Sequence, residues 1–264
     1  MPRVRLDSLL AERGLFASRS RAAAAVLAGD VHLGAGRRRA EKPGQLVAPD
    51  VELDVAAPPP YVSRGGIKLA NALDALGVEV ASRRCLDVGA STGGFTDCLL
   101  QRGAAHVVAL DVAYGELHLT LRDDPRVTVL ERVNARALSP GALPYPPELA
   151  VADVSFISLA KVLPALLAVM APGRFDVLAM IKPQFEVGRD RIGRGGVVRD
   201  PDLRREALVA VGEAARGAGA GVLGFASSGL PGPKGNRESF VWLAEPGRAG
   251  AVEDLEAAAR RVEP

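Results

Sequence analysis

The feature that most constrains the fold is an alternation of strand-like and helix-like segments after residue 80. Several of the strand-like segments are apolar at nearly every position, which is typical of strands buried on both faces. The predicted strands are 84–88, 106–112, 127–130, 149–154, 176–181, 221–226 and 240–244. Helix-like segments fall between them, including 95–102, 158–170 and 203–216. The pattern predicts an α/β fold with a doubly wound, Rossmann-like sheet and a ligand site at the carboxyl ends of its strands.

Three consecutive prolines, Pro58 to Pro60, mark the clearest domain boundary in the 264-residue chain. Consecutive prolines cannot continue a helix and form a stiff, extended spacer. We therefore expect a small α+β domain, a proline-rich linker, a large domain and a helical C-terminal tail. Their predicted bounds are 1–54, 55–62, 63–246 and 247–264.

The small domain is strongly basic, with nine Lys or Arg against four Asp or Glu in residues 1–49, although the whole chain carries a net charge of only +2. A basic module on a near-neutral body is typical of a protein that binds an acidic polymer. The cations at predicted helix starts and in a predicted turn at 34–39 are candidates for phosphate contacts. They are Arg19, Arg21, Arg37, Arg38, Arg39 and Lys42. A solvated charged surface is the alternative, and the placement of the two clusters favours phosphate contact.

Composition and pattern exclude several other classes of protein. Cys85 and Cys98 form no C-x-x-C pair and the three histidines lack metal-ligand spacing, so we expect neither a metal site nor a disulfide scaffold. The first residues lack the apolar core of a signal peptide. The longest apolar stretch, around 162–171, is broken by Pro164 and is too short to span a bilayer. These observations predict a cytoplasmic protein with no membrane segment.

A glycine-rich turn follows the first predicted strand of the large domain, in the sequence LDVGASTGGF that runs from Leu86 to Phe95. Its G-x-x-x-G-G spacing is neither the G-x-G-x-x-G dinucleotide fingerprint nor a P-loop. Asp111 ends the next strand, where a carboxylate can accept hydrogen bonds from both hydroxyls of a ribose. Together the two features indicate an adenosine-containing cofactor, and they leave both a nicotinamide dinucleotide and S-adenosylmethionine open.

Four charged residues are expected at one edge of the sheet. Asp153 and Lys182 each end a predicted strand, Glu238 directly precedes the last strand, and Lys68 begins a predicted helix at 68–76. Charges at strand ends are usually solvated, but two lysines and two carboxylates would form a compact, mutually neutralising set. Methyl transfer from a sulfonium to a ribose 2′-oxygen needs a group that takes the hydroxyl proton. Lys182, close to Lys68 and oriented by the two carboxylates, is our candidate for that group.

The order Lys68, Asp153, Lys182, Glu238 resembles the K-D-K-E tetrad of the FtsJ-like ribose 2′-O-methyltransferases. The phrases SRGGIKL, LDVGASTGGFTDCLL, ALDVAYGEL, ADVSFISL, IKPQFE and GNRES are similar to those of the TlyA family, whose members are also called hemolysin A. The N-terminal phrases LDSLLAERGL and SRSRA resemble an S4 RNA-binding domain. The resemblance covers about 4–244. It implies an S-adenosylmethionine-dependent enzyme that methylates a cytidine 2′-hydroxyl in small-subunit ribosomal RNA, large-subunit ribosomal RNA or both.

The resemblance also implies which residues serve each site. Cofactor contacts are expected from Asp87, Gly89, Ala90, Ser91, Thr92, Gly93, Gly94, Phe95, Asp111, Val112, Asn134 and Asp153. RNA contacts are expected from Arg3, Arg5, Arg19, Arg21, Arg37, Arg38, Arg39, Lys42 and Arg64. Asn134 stands where related enzymes often carry an acid. The segment 185–199, rich in Arg and Gly, is either a mobile basic lid on the substrate or a disordered surface loop.

Two other functions stay open as alternatives to the methyltransferase. One is a non-catalytic S4-type RNA-binding or ribosome assembly factor that retains the cofactor fold, and the presence of all four tetrad residues argues against it. The other is a membrane-active hemolysin, and the apolar runs are better explained by a buried sheet than by a membrane-inserting region. The expected partners are ribosomal RNA and ribosomal subunits.

Overall fold

The chain divides into two compact units, with the boundary between Pro59 and Pro60. The computed structural model describes residues 3–56 and 59–263. Ala57 and Pro58 of the predicted linker lie outside the described residues. Within the described ranges, no helix is both long and apolar enough to cross a membrane.

The described residues of the first unit form two short helices and five short strands. Their bounds are β1 Val4–Arg5, α1 Leu6–Glu12, α2 Arg19–Ala28, β2 Val31–Leu33, β3 Arg38–Arg39, β4 Leu46–Val47 and β5 Leu53–Val55. Strand β1 pairs with β4, and the other three form a sheet in the order β3-β2-β5. Leu6, Leu10 and Val26 are buried between these elements. Gly29, with φ +93°, ends α2 in the left-handed conformation that glycine adopts without steric cost.

Two details of the first unit differ from the sequence-based prediction. Arg38 and Arg39 do not continue a turn but form β3, which pairs antiparallel with β2 through Leu33 and His32. Successive side chains of a strand point to opposite faces, so these two guanidinium groups diverge. Val55 belongs to β5 and pairs with Val31, so the connection to the second unit begins after the predicted linker start.

The second unit is an α/β domain. Its elements are α3 Arg64–Leu76, β6 Arg84–Val88, α4 Gly94–Gln101, β7 His106–Asp111, α5 Leu119–Arg122, β8 Val127–Glu131, β9 Leu149–Ala152, α6 Leu163–Ala168, β10 Asp176–Ile181, α7 Pro183–Glu186, α8 Pro201–Gly217, β11 Gly221–Ser227, β12 Ser239–Ala244 and α9 Leu255–Val262. The strands form one seven-stranded sheet in the order β11-β12-β10-β9-β6-β7-β8. The five strands from β10 to β8 are parallel, and β12 runs antiparallel to both of its neighbours.

Both faces of the sheet are buried, which is why its strands are apolar at almost every position. Along β6, Leu86 and Val88 pack in one hydrophobic core with residues of α6, α8 and α9. Cys85 packs in the other core with residues of α3 and α4. The helices therefore cover the sheet in two layers, and the carboxyl ends of the parallel strands open along one edge.

Three predicted helical segments have different bounds in the structure. Helix α3 begins at Arg64 rather than at Lys68, because Gly65 and Gly66 continue the helix where it packs closely. A Cβ at position 66 would lie 2.3 Å from the Tyr61 ring. The segment predicted as one helix at 158–170 is a 3-10 turn at Leu159–Lys161 followed by α6, with Pro164 in its first turn. The predicted C-terminal tail is part of the second unit, since Leu255, Ala258 and Ala259 of α9 lie in its core.

Candidate active site

The glycine-rich turn lies between β6 and α4, at the open edge of the sheet. Gly89 has φ +83°, and a Cβ there would lie 2.5 Å from the carbonyl oxygen of Asp153. Gly93 has φ +96°, and a Cβ there would lie 2.3 Å from Leu121 Cδ1. No side chain fits at either position, so the backbone of the turn lies directly against the neighbouring strand end and against α5.

Asp111, at the end of β7, is held rigidly by this turn. Its Oδ2 accepts a 2.7 Å hydrogen bond from the backbone N–H of Ser91, and its Oδ1 accepts a 2.8 Å bond from that of Ala113. Each carboxylate oxygen keeps further acceptor capacity for a ligand hydroxyl. Glu116, which the sequence analysis did not identify, accepts a 3.1 Å hydrogen bond from the Ser91 hydroxyl. It lines, together with Asp111, a cavity at this edge of the sheet.

A cavity of about 480 Å³ opens beside Asp111, and we call it the first cavity. Gly89, Val112 and Asn134, three of the residues predicted as cofactor contacts, line it. Val112 exposes 71% of its surface, which offers an apolar face to a planar ligand. The Oδ1 of Asn134 accepts a 3.0 Å hydrogen bond from the Arg136 N–H, and this bond leaves the amide Nδ2 free to donate.

Two residues predicted as cofactor contacts have structural positions instead. Asp87 is fully buried, lines none of the cavities described here, and accepts a 2.7 Å hydrogen bond from the Thr96 hydroxyl of α4. Burial raises the pKa of the Asp87 carboxyl to about 7, with the negative charge of Asp153 adding to the effect. Gly93 likewise faces Leu117 and Leu121 rather than a cavity.

The four tetrad residues form two ion pairs. Lys68 is paired with Glu238, and both side chains are buried. The Lys182 ammonium lies 2.5 Å from Asp153 Oδ1 and donates a 2.7 Å hydrogen bond to the Ser155 hydroxyl. Asp153 and Ser155 thus orient Lys182. The prediction that both carboxylates orient it is wrong, because Glu238 forms its ion pair with Lys68.

The order of the strands explains why these pairs form. Strand β10 lies between β9 and β12. Lys182 directly follows β10, Asp153 directly follows β9, and Glu238 directly precedes β12. Ile181 is opposite Ser239 in the antiparallel pair, which puts the residues just beyond them at the same level. Lys68 reaches this edge from the second turn of α3.

A second cavity, of about 370 Å³, contains the whole tetrad. Ala90, Thr92, Gly94 and Phe95 of the glycine-rich turn also line it. Gly89, Ser91 and Asp153 line both the first and the second cavity. A ligand that extends from Asp111 past Gly89 therefore reaches the tetrad without crossing the protein interior.

The segment predicted as a lid is anchored at both ends. Glu186 accepts hydrogen bonds from the Ser158 hydroxyl at 2.6 Å and from the Leu159 N–H at 2.9 Å, and burial raises the pKa of its carboxyl. At the other end, the side chain of Asn236 accepts from the Val198 N–H and donates to the Gly196 carbonyl. Glu186 is therefore a fixed link between the β9 and β10 loops rather than part of a mobile lid.

A comparison of sequences identifies the family. The FtsJ-like methyltransferase model matches residues 61–245, which is most of the second unit. The chain belongs to the FtsJ-like methyltransferases. It is 50% identical over 262 residues to the 16S/23S rRNA (cytidine-2′-O)-methyltransferase TlyA of Mycobacterium tuberculosis, covering 98% of this chain and 97% of that protein. The first unit lies outside the family model.

Two solved structures resemble this FtsJ-like methyltransferase. A protein from Streptococcus thermophilus with the name hemolysin has a TM-score of 0.73 and 37% identity, covering 99% of this chain and 96% of its own. A second one, from Lactococcus lactis and also named as a hemolysin, has a TM-score of 0.71 and 40% identity, covering 76% and 97%. The family match supports a Rossmann-like methyltransferase fold, and the sheet of the second unit is mostly parallel.

The site residues fit S-adenosylmethionine, the cofactor of this family. Asp111 is suited to the ribose hydroxyls, Val112 and Asn134 to the adenine, and the turn at Gly89, where no side chain fits, to the chain that joins the nucleoside to the sulfonium. When bound, this cofactor supplies an electrophilic methyl group. Asp153 lies where the two cavities join, between the cofactor residues and Lys182.

The predicted RNA contacts are distributed over both units. In the first unit, Arg5 and Arg19 both contact Asp7, and the Arg5 guanidinium holds the pKa of that carboxyl well below its usual range. Arg37 pairs with Asp54 at 2.5 Å, and Arg39 donates to the Ala28 carbonyl. Within the described residues of the first unit, the side chains of Arg21, Arg38 and Lys42 form neither a salt bridge nor a hydrogen bond, and Arg39 forms no salt bridge.

The two remaining candidates differ in position. Arg3 is exposed in the first unit, directly before β1. Arg64 belongs to the second unit, where it donates a 2.8 Å hydrogen bond to the Pro231 carbonyl and lines the second cavity, beside the tetrad.

Proposed function

We propose that this protein transfers a methyl group from S-adenosylmethionine to the ribose 2′-hydroxyl of a cytidine in ribosomal RNA. One observation carries the proposal: the four tetrad residues line the second cavity, which shares Gly89, Ser91 and Asp153 with the first cavity. The Mycobacterium tuberculosis relative is named for this reaction on 16S and 23S rRNA. A ribosomal substrate implies that the activity is cytoplasmic.

In this proposal Lys182 accepts the proton of the 2′-hydroxyl. The ribose oxygen forms a bond to the methyl carbon as the bond from that carbon to sulfur breaks, and the bonding electrons remain on sulfur. Asp153 and Ser155 fix the position of the Lys182 nitrogen, so that it faces the hydroxyl in the tetrad cavity. Lys182 must first release one proton from its ammonium to solvent, and Asp153 then compensates the positive charge that Lys182 regains when it accepts the hydroxyl proton.

In this proposal Lys68 and Glu238 shape the second cavity, which Lys182 also lines. Both are buried, and each neutralises the other, so neither leaves an uncompensated charge in the cavity. The pair ties α3 to the segment before β12 and so fixes the width of the cavity. Arg64, on the first turn of the same helix, is placed to contact a phosphate of the bound RNA.

We propose that the first unit is an S4-like RNA-binding domain that brings the enzyme to its ribosomal substrate. Its basic composition supports this, since guanidinium groups bind phosphate oxygens through paired N–H donors. A non-catalytic RNA-binding factor would need the basic surface alone. The two ion pairs beside the cofactor cavity favour the enzyme over that alternative.

The direct test uses methyl-labelled S-adenosylmethionine and ribosomal subunits that lack the modification. After incubation with the purified protein, mass spectrometry locates the label in the RNA. We expect label on the ribose 2′-oxygen of a cytidine, with none when Lys182→Ala replaces the natural protein. Cofactor binding without label on either subunit would contradict the proposed reaction.

A further inference from the structure

Gln184 carries a buried hydrogen-bond acceptor that the protein itself does not satisfy. Its side-chain Oε1 is shielded from solvent and has no hydrogen-bond partner in the described structure. Buried carbonyl oxygens are nearly always paired, so an orphaned one indicates a missing donor. The residue lies on α7, two positions after Lys182, at the edge of the sheet that carries the tetrad.

Gln184 lines a third cavity, of about 330 Å³. Lys182, Glu238 and Pro233 line both the second and the third cavity, so the two are continuous at the tetrad. Phe185, Ile192 and Pro233 contribute apolar surfaces to the third cavity, which suit the faces of an aromatic ring. A nucleotide whose 2′-hydroxyl reaches Lys182 therefore has room for its base beside Gln184.

Asn236, the other side-chain amide that lines this cavity, already has hydrogen-bond partners within the protein. Asn236 is buried, its Oδ1 accepts a 2.9 Å bond from the Val198 N–H, and its Nδ2 donates a 2.8 Å bond to the Gly196 carbonyl. Ser155 accepts the hydrogen bond of Lys182. Among the side chains that line the third cavity, Gln184 is thus the one with a buried oxygen that has no hydrogen-bond partner in the described structure.

We infer that Gln184 selects the base that is modified, by accepting a hydrogen bond from the 4-amino group of the target cytidine. The inference rests on the proposed function and adds a specificity residue to it. Uridine carries a carbonyl oxygen at that position, and two facing acceptors would leave both oxygens unsatisfied. The side chain touches no reacting atom, so its expected effect is on the choice of base.

The test measures the ratio of kcat/KM for two ribosomal substrates that differ at one nucleotide. One has the cytidine at which label is first located by mass spectrometry, and the other has uridine there. The ratio is compared for the natural protein, Gln184→Met, which keeps the length of the side chain without its acceptor, and Gln184→Glu, which keeps the acceptor. Gln101→Met is the matched control, because Gln101 bonds to Pro60 and Asp97 and lines none of these cavities.

We expect the natural protein and Gln101→Met to prefer cytidine by at least about tenfold, Gln184→Glu to keep the preference, and Gln184→Met to lose most of it. An equal fall in rate on both substrates, with the ratio unchanged, would show a structural role and overturn the inference. So would loss of the preference in Gln184→Glu. If the methionine blocks both substrates, Gln184→Ala gives the same ratio with a shorter side chain. Absence of label from the natural protein would instead contradict the proposed function.

Discussion

The Lys182 ammonium lies 2.5 Å from Asp153 Oδ1, and the two residues follow neighbouring parallel strands. Asp153 also lines the cofactor cavity, so a single carboxylate contacts the proposed proton acceptor and borders the cofactor site. Both residues directly follow paired strands, so the sheet fixes the position of the lysine nitrogen relative to the carboxylate.

Lys182→Ala is expected to lower kcat by at least about 100-fold, because general-base assistance by a positioned side chain contributes about 10² to 10⁴ in rate. The dissociation constant for S-adenosylmethionine, measured by calorimetry, is expected to change little. Lys161→Ala is the matched control, since Lys161 is exposed and lines none of the cavities. A kcat near that of the natural protein would remove the proton-acceptor role from Lys182.

Asp111→Ala is expected to weaken S-adenosylmethionine binding by at least about tenfold, since it removes acceptors for the ribose and leaves the Ser91 and Ala113 N–H groups without their partner. Asp123→Ala, at an exposed helix end, is the control. Calorimetry with the purified variants measures the change. An unchanged dissociation constant for Asp111→Ala would place the cofactor elsewhere.

Replacement of Arg37, Arg38 and Arg39 by Gln is expected to weaken RNA binding and to reduce its dependence on salt, because each lost phosphate contact lowers the salt slope by about one. Arg38→Gln alone is expected to account for most of the change. Arg37 is already paired with Asp54, and Arg39 contacts the end of α2. Binding to a ribosomal RNA fragment, titrated at several salt concentrations, measures the slope. An unchanged slope in the triple variant would identify the run as a solvated surface.

Asp87 is expected to make the stability of the protein depend on pH. Burial raises its pKa from 3.8 to about 7, so between these values the folded protein retains a proton that the unfolded chain has lost. The free energy of unfolding therefore falls as pH rises through this window, and the loss is complete above it. Urea unfolding of the natural protein and of Asp87→Asn is expected to show their difference in stability changing across the window and constant above pH 8. Asp123→Asn is expected to follow the natural protein at every pH; a difference for Asp87→Asn that does not vary with pH would contradict the raised pKa.

Much of the sheet follows from the sequence, because a strand buried on both faces has an apolar run as its direct signature. Strands β6 and β10 have the predicted bounds, and the predicted tetrad residues do meet at one edge. The pairing within the tetrad depends on strand order, which local patterns do not carry. Glu238 lies beside Lys182 only because β12 is inserted antiparallel next to β10, and its partner is Lys68.

The remaining errors come from contacts between distant parts of the chain. Gly65 and Gly66 resemble helix breakers, but both belong to α3, and at Gly66 the Tyr61 ring packs where a side chain would otherwise stand. Asp87 at a strand end resembles a ligand contact, yet its partner is Thr96 inside the core. Phe156, with φ +65° and 92% of its surface exposed beside Phe185, gave no sequence signal at all. Its position at the first and third cavities emerges only from the fold.

The ion pair between Lys68 and Glu238 joins residues that lie 170 positions apart. Domains fold as units while the N-terminal part emerges first from the ribosome. The basic first unit and most of the cofactor residues are complete long before Glu238 has been synthesised. A nascent or truncated chain that ends before Glu238 therefore contains the basic first unit and most of the predicted cofactor residues, while Lys68 lacks its carboxylate partner.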